Sequence, residues 1–378
     1  MSSSGKRLLQ ANEDQVDAAK SVANSEAGAV RLRQGGFNGD FVLSYAARAS
    51  AIIVLLMLAV LMIVLFHSAL PSIKLFGWRF LVTSDWRPNE LDRPIVGADG
   101  KPVLDEDGAV QIETVPPSFG ALPVIFGTIV SSSIALVCAV PLSFGAALFL
   151  VRIAPRALVG PVSFMIEFLA AVPSLAYGIW GLFVLCPFLQ GHLEPLLKQV
   201  FSHIPGLSWM FYQRLESGRW VPIALTGRDM LAGGLVLGIM ILPIITAVSR
   251  DVLRAVPRTQ LEATVALGAT WWESCVEMLK YSRSGLFGAV MLGLARAAGE
   301  TMAVTMVIGN NSQIKASIFA AAQSMSSLLA NEFAEATTDE HRAALIEVAL
   351  ILLIMSLAFN VVARSLVVGK TARSAAGH

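Results

Sequence analysis

Residues 114–151 read TVPPSFGALPVIFGTIVSSSIALVCAVPLSFGAALFLV, a stretch without a single Asp, Glu, Lys or Arg. A helix needs about 20 apolar residues to cross a hydrocarbon core of roughly 30 Å, so this stretch can cross a bilayer with residues to spare. Five further runs share its character. Residues 49–73 and 230–249 carry no formal charge, 157–193 only Glu167, 284–314 only Arg296 and Glu300, and 343–363 only Glu347. The chain is therefore expected to be all-α, a polytopic membrane protein with six transmembrane helices. Its composition agrees: 55% of its 378 residues are hydrophobic and 15% charged, and the mean hydropathy is +0.66. An ordinary soluble domain carries roughly 25% charged residues.

Several function classes drop out at this stage. Lys plus Arg number 28 against 27 for Asp plus Glu, so the net charge of +1 leaves no basic excess for nucleic acid. Cys138, Cys186 and Cys275 are too few and too scattered for a disulfide framework. His67, His192, His203, His341 and His378 show no ligand spacing, and no protein-made metal site is expected. Nor does the chain hold a GxxxxGK[ST] sequence. Gly369, Lys370 and Thr371 come nearest, with Arg364 where the first glycine belongs, so ATP hydrolysis is not expected of this chain.

The runs divide the sequence as follows. Residues 1–45 are polar and are expected to form a disordered tail. The first helix, 46–70, is too long for a signal-peptide core and reads as an uncleaved anchor. Residues 71–118 form an outer segment. Turn-rich, acidic sequence around Asp99–Gly100 and Asp107–Gly108 between short apolar stretches predicts a hairpin there. Residues 119–370 hold the remaining five helices, with an outer insertion at 188–228 and a long inner loop at 250–283, and 371–378 form a tail. The third run, from Ala157 to Gln190, would be about 51 Å long as one helix at 1.5 Å per residue, so it is expected to tilt or break. Pro173, near Gly178 and Gly181, is the expected place, and Pro141 is a second candidate in the run quoted above. Alternating spans place 16 basic and 9 acidic residues on the side of the N-terminus, and 11 basic and 15 acidic on the other. The basic side is expected to be cytoplasmic, with both termini on it.

Within the inner loop 250–283, two helix-start signatures follow one another. Thr259 precedes Glu262 by three residues and Thr270 precedes Glu273 by three, the spacing of a capping box. Gly268 lies between them, where a glycine closes a helix. Two short helices with a bend are expected. Either they dock in a groove on a cytoplasmic partner or they pack on their own membrane domain.

Arg296 lies 12 residues past Ser284, about 18 Å along a helix and so near mid-membrane. A charge at that depth faces the bundle interior, a partner charge or an aqueous path. Glu300 follows four residues later, so a continuous helix would allow an intrahelical ion pair. One reading makes the pair a packing lock. The other makes the guanidinium an anion-coordinating group that Glu300 positions and partly screens. Glu167 and Glu347 lie near span ends and are assigned structural roles.

These residues also carry a family resemblance. Leu261–Gly268, LEATVALG, resembles the EAA loop of binding-protein-dependent ABC importers: Glu262, Ala263 and Gly268 match, and Thr264 replaces the second alanine. The distal part is one residue short of the family pattern, with Lys280 where proline is expected. Gly293–Asn310, GLARAAGETMAVTMVIGN, strongly resembles the fifth-span signature of the phosphate-specific permeases of the PstC family, more than that of their PstA partners. Phe119–Leu150, Ile166–Leu185 and Leu237–Asp251 are similar to the same family, so the resemblance covers most of residues 41–370.

The resemblance implies the ABC importer type I permease fold and an inner-membrane permease subunit that conducts phosphate inward. It implies as partners a PstA-like permease forming a heterodimer, a PstB-like ATPase dimer and a PstS-like periplasmic phosphate-binding protein, all beside membrane lipid. ATP and Mg would be bound by the ATPase subunits, leaving this chain without a cofactor. Carried over by residue, it puts Arg296 and Glu300 on the substrate path and ATPase coupling on Arg258, Glu262, Ala263, Gly268, Thr270 and Glu273. Three alternatives stand beside it: a permease for another oxyanion such as sulfate, a non-transporting scaffold or sensor, and an intramembrane enzyme using Glu300 or Glu167.

Overall fold

The structure, a computed structural model, describes residues 39–95, 110–201, 204, 208–214 and 219–375. The expected tail at 1–38, the tip of the outer hairpin at 96–109 and the last three residues lie outside the described residues. The chain divides into two compact units, Met1–Val64 and Leu65–His378. Of the first unit, the described part is the start of α1, a helix that runs over Gly39–Phe76. All other elements belong to the second unit.

A short helix α2 (Arg79–Val82) leads to the hairpin that the turn residues predicted. Strands β1 (Leu91–Pro94) and β2 (Ile112–Val115) pair antiparallel, with Leu91 opposite Val115 and Pro94 opposite Ile112. Helix α3 spans Leu122–Ile153, its last turn widened to i→i+5 bonding. Pro141 lies inside α3 without breaking it. Packing on the adjacent helix holds the turn beside it, where Ser143 Oγ donates to the Leu242 carbonyl of that helix at 3.0 Å.

The third run does break, at the expected proline. Helix α4 (Arg156–Ala171) ends at Val172, and Pro173, itself extended, caps α5 (Ser174–Phe201). A second small hairpin, β3 (Tyr212–Arg214) with β4 (Trp220–Pro222), precedes α6 (Met230–Arg254). Helices α7 (Arg258–Ala266) and α8 (Trp271–Tyr281) then form the inner loop. They are followed by α9 (Arg283–Gly299), α10 (Met302–Val307), α11 (Met325–Glu332) and α12 (Asp339–Ala375).

Among the described residues, five helices are long and apolar enough to cross a membrane: α1, α3, α5, α6 and α12. The remaining predicted span, 284–314, is not one helix. It divides at Glu300, whose ψ of 130° is extended, into α9 and the short α10. Hydropathy marked this run as apolar but could not report its continuity, and its helices end at Val307.

Helix α6 is the centre of the bundle. Of its span window 61% is buried, against 28% for α3 and 22% for α5 and α12. Small residues make this possible, because lipid offers no hydrophobic drive between helices and close backbone approach has to supply the packing. Gly234 lies over Ile134 of α3, Gly238 over the Ala135 backbone, and Gly293 of α9 over Ile245 of α6. Leu237, Ile241, Ile245, Ala135, Ala139, Ala289 and Ala297 fill the core between the three helices. At the hairpin end Phe80, Trp86 and Phe119 form a second core. There His341 stacks on Phe119 at 5.4 Å, and Glu332 Oε2 takes the Trp86 indole N–H at 2.8 Å and lies 3.1 Å from His341 Nε2.

Asp229 caps α6 from one residue before the span, accepting the Ala232 N–H at 2.8 Å. It and Glu194 of α5 are both fully buried, and Asp229 Oδ2 and both Glu194 oxygens meet no ordinary donor. Burial, reinforced by the neighbouring Glu194 and opposed by the Ala232 amide, pushes the Asp229 carboxyl from 3.8 up to about 8. The folded state thus favours the protonated acid. This contribution is complete below about pH 4 and is lost as the pH rises towards 8. Asp229→Asn keeps the cap acceptor and turns an amide donor towards Glu194. Thermal unfolding in detergent across pH 5–9 is expected to show a flatter profile for the variant and, at pH 8, a melting temperature higher by about 2–4 °C. An equal pH slope in both proteins would remove the carboxyl pair as its cause.

Candidate functional site

Two interrupted helices meet near the middle of the bundle. Helix α5 packs on α10, with Gly178 against the Ala303 backbone and Gly181 between Val236 and Val307. The break at Pro173 and the break at Glu300 therefore belong to neighbouring elements. Irregular backbone at membrane depth is tolerated only where protein or a water-filled cavity surrounds it, and transporters build their sites from such discontinuous helices.

Arg296 sits in the last turn of α9, one turn before the break, and is exposed. The last turn is where free carbonyls make the helix end negative, so a cation is favoured there. On the neighbouring α5, the Tyr177 hydroxyl donates to the Leu169 carbonyl of α4 at 2.8 Å, across the Pro173 break. Glu300 is half-buried. The intrahelical ion pair that the four-residue spacing allowed does not form: among the described residues no ion pair joins Arg296 to Glu300. The reason is geometric. An i,i+4 pair needs a continuous helix, and α9 stops at Gly299.

Beyond the break the chain doubles back. After α10 the backbone turns at Gly309 and Asn310, both with positive φ, and Ile308 and Asn311 pair with Ala322 on the returning segment. Helix α11 then starts at the Ser324 cap, where Ser327 completes a capping box. Met325 N–H donates to Thr128 Oγ1 of α3 at 2.9 Å, and a Cβ on Gly127 would collide with the Gln323 carbonyl. Ser326 Oγ donates to the Glu300 carbonyl at 2.6 Å. The Thr301 hydroxyl donates to the Gly299 carbonyl at 3.4 Å and the Thr305 hydroxyl to the Thr301 carbonyl at 2.7 Å, so hydroxyls satisfy the backbone on both sides of the break. Sequence reasoning singled out Arg296 and Glu300 but not Tyr177 or Ser326. The signal for Ser326 was the run Ser324-Met325-Ser326-Ser327, whose cap spacing marks a helix start inside what was counted as outer loop.

The other candidate residues lie at the far end of the bundle, on α7 and α8. Arg258, Glu262, Ala263, Gly268, Thr270 and Glu273 are all exposed. The Thr270–Glu273 capping box is formed as expected: Thr270 N–H donates to Glu273 Oε2 at 2.7 Å and Glu273 N–H to Thr270 Oγ1 at 3.3 Å. Those Thr270 bonds hold the Glu273 carboxyl below its usual range. The Thr259–Glu262 box is not formed. Pro257 caps α7 and Thr259 falls inside the first turn, too late in the helix to serve.

Gly268, at φ +87°, closes α7. Its N–H bonds to the Val265 carbonyl and the Ala269 N–H to the Thr264 carbonyl, the two bonds of a Schellman motif. Leu267, Trp271 and Trp272 remain exposed, so the pair presents an apolar surface outward. Inward it is tied to α3, through Arg152 Nη2 donating to Ser274 Oγ at 3.4 Å. Nearby Arg250, buried, bridges Glu167 of α4 at 3.1 Å and Asp251 at 3.0 Å, which gives Glu167 the structural role expected of it. Glu347, also buried, packs inside α12.

Residues 139–368 match the family described as "Binding-protein-dependent transport system inner membrane component". The phosphate transport system permease protein PstC of Mesorhizobium japonicum is 38% identical over 338 residues, covering 89% of this chain and 92% of that protein. The chain belongs to the PstC permease family. The PstC protein of Pasteurella multocida is 39% identical over 87% of this chain and 91% of its own length, and PstC 1 of Mycobacterium tuberculosis 38% identical over 79% and 84%. Family membership makes the fold that of an ABC importer permease, in a multi-pass inner-membrane protein that works with other transporter subunits. A chain of the solved MetNI methionine ABC transporter, inward facing, aligns with a TM-score of 0.45 at 15% identity over 66% of this chain and 94% of that one.

The turn at Gly268 supplies a direct test of the α7–α8 geometry. Its left-handed backbone costs an L residue about 1–2 kcal/mol, and nothing crowds a Cβ there, so the cost is conformational. Gly268→Ala is expected to speed amide exchange of the last turn of α7 roughly tenfold, with Gly268→Asn in between. Equal exchange in all three proteins would mean that the turn is held by something other than its backbone.

Proposed function

We propose that this chain is the inner-membrane permease subunit of an ATP-driven phosphate importer, and that phosphate passes the Arg296 guanidinium at the paired helix breaks. The observation that carries the reading is an exposed arginine with no ion-pair partner among the described residues, set at the end of an interrupted membrane helix whose continuation, α10, packs on the second interrupted helix, α5. A guanidinium in that position has its donors free, and its planar fork suits two oxygens of a tetrahedral anion. The break displaces Glu300 from the helical face of Arg296, so the carboxylate does not neutralise the arginine as an i,i+4 pair would.

The side that holds both termini and α7–α8 carries 16 basic against 9 acidic residues, which supports a cytoplasmic placement where a PstB-like ATPase dimer would receive Leu267, Trp271 and Trp272 between Arg258 and Glu273. ATP and Mg belong to that subunit. A PstA-like permease would complete the path, and a PstS-like binding protein would deliver phosphate at the hairpin end. The chain's own part is conduction, with no bond made or broken on it.

Labelled phosphate uptake at low external concentration, in cells lacking their own system, tests this. Arg296→Ala in an assembled complex is expected to reduce uptake at least about tenfold, the scale of a lost charge-assisted hydrogen bond. Undiminished uptake would take Arg296 off the path and return it to packing.

A further inference from the structure

The break in the fifth span leaves backbone carbonyls outside both helical ladders; that of Gly299 takes the Thr301 hydroxyl at 3.4 Å. Helix α10 begins its ladder with the bond from Thr305 N–H to the Thr301 carbonyl, and α9 ends with Glu300 N–H bonded to the Ala297 carbonyl. The Glu300 carbonyl lies between these ladders. In lipid-surrounded protein an unmet carbonyl is costly, and a donor has to come from elsewhere. It comes from Ser326, 26 residues on, whose hydroxyl donates at 2.6 Å and which is 3% exposed. Ser326 is itself held from three sides. It lies in the first turn of α11, Ser324 Oγ is 3.2 Å from its hydroxyl, and the neighbouring Met325 N–H is fixed to Thr128 of α3.

We infer that Ser326 is a positioning residue for transport: it clamps the Glu300 carbonyl, keeps the α9–α10 junction bent, and so holds Arg296 at its station on the path. Without the clamp the Glu300 carbonyl regains its donor by drawing the junction towards a continuous helix. That rotation brings Glu300 back onto the face of Arg296, where the two charges can neutralise each other. The hydroxyl thus keeps the arginine free for an anion without touching the anion itself. This inference rests on the reading of Arg296 as a path residue, so its test separates the clamp from the path.

Four variants are compared in assembled complexes: Ser326→Ala, Ser326→Thr, Arg296→Lys and the double Ser326→Ala with Arg296→Lys. Hydrogen exchange of the peptide covering 297–305 reads the clamp alone. Ser326→Ala is expected to raise exchange there about fivefold and to lower phosphate uptake about fivefold, the worth of one buried hydrogen bond. Ser326→Thr, which keeps the hydroxyl, is expected to restore at least half of both. If Ser326 acts through Arg296, the double variant takes up phosphate no more slowly than Arg296→Lys alone. A hydroxyl that serves only stability lowers uptake by the same factor in both backgrounds, which would overturn the positioning role. Unchanged exchange in Ser326→Ala would overturn the clamp whatever uptake does. Undiminished uptake in Arg296→Ala, with exchange still raised, would end the path reading and the positioning role with it, while leaving the clamp in place.

Discussion

A backbone carbonyl stranded inside a membrane domain must find a donor within the protein, and much of this architecture follows from meeting that demand at one residue. Glu300 ends a helix where no proline forces it to end. Its carbonyl is satisfied only because the chain, after six residues of α10, turns at Gly309 and Asn310 and returns to place Ser326 beside it. The returning segment needs room, and Gly127 on α3 provides it against the Gln323 carbonyl. A side chain at 127 would push the segment away and strand the carbonyl again. The break, the re-entrant loop and the glycine on a third helix are therefore one solution.

The rest of the bundle supports that solution by being rigid around it. Helix α6 is buried on most sides because glycines on it and on α9 bring backbones together, and van der Waals contact then substitutes for the hydrophobic drive that lipid lacks. Helix α9 is seated on α6 through Gly293, one turn from Arg296. The depth of the arginine is thus set by α6, and its orientation by the break one turn further on. Two separate constraints meet at one guanidinium.

The spans were legible because hydropathy and length measure the same thing a bilayer measures. Pro173 was legible as a break because proline removes a donor wherever it stands, although Pro141, equally a proline, stays inside α3 where Ser143 and the packing on α6 hold the turn. The break at Glu300 was hidden for the complementary reason. Its cause is a hydroxyl 26 residues away, and no window along the chain can contain it. From that one omission followed the expected Arg296–Glu300 ion pair, sound for a continuous helix and absent here. The inner loop shows the same division on a small scale. Thr270 and Gly268 act locally and were read correctly, whereas Thr259 was displaced from its expected role by Pro257, which takes the cap position two residues earlier.

The distance between the two candidate regions is bridged by continuous structure. Helix α8 ends at Tyr281 and α9 begins at Arg283, so the outward-facing pair α7–α8 is joined directly to the helix that carries Arg296. Thirteen residues of helix separate Arg283 from Arg296, about 20 Å along a rigid rod. A partner that moves α8 therefore moves the arginine, since a helix transmits displacement without absorbing it. The far end of the rod is different. Glu300 is joined to α10 by extended backbone and to α11 by one hydroxyl, and α11 is anchored on α3. A displacement that enters α9 at Arg283 reaches Arg296 through continuous helix and meets a joint one turn later. Because the backbone at Glu300 is extended, a shift of α9 is not carried along one continuous helix into α10.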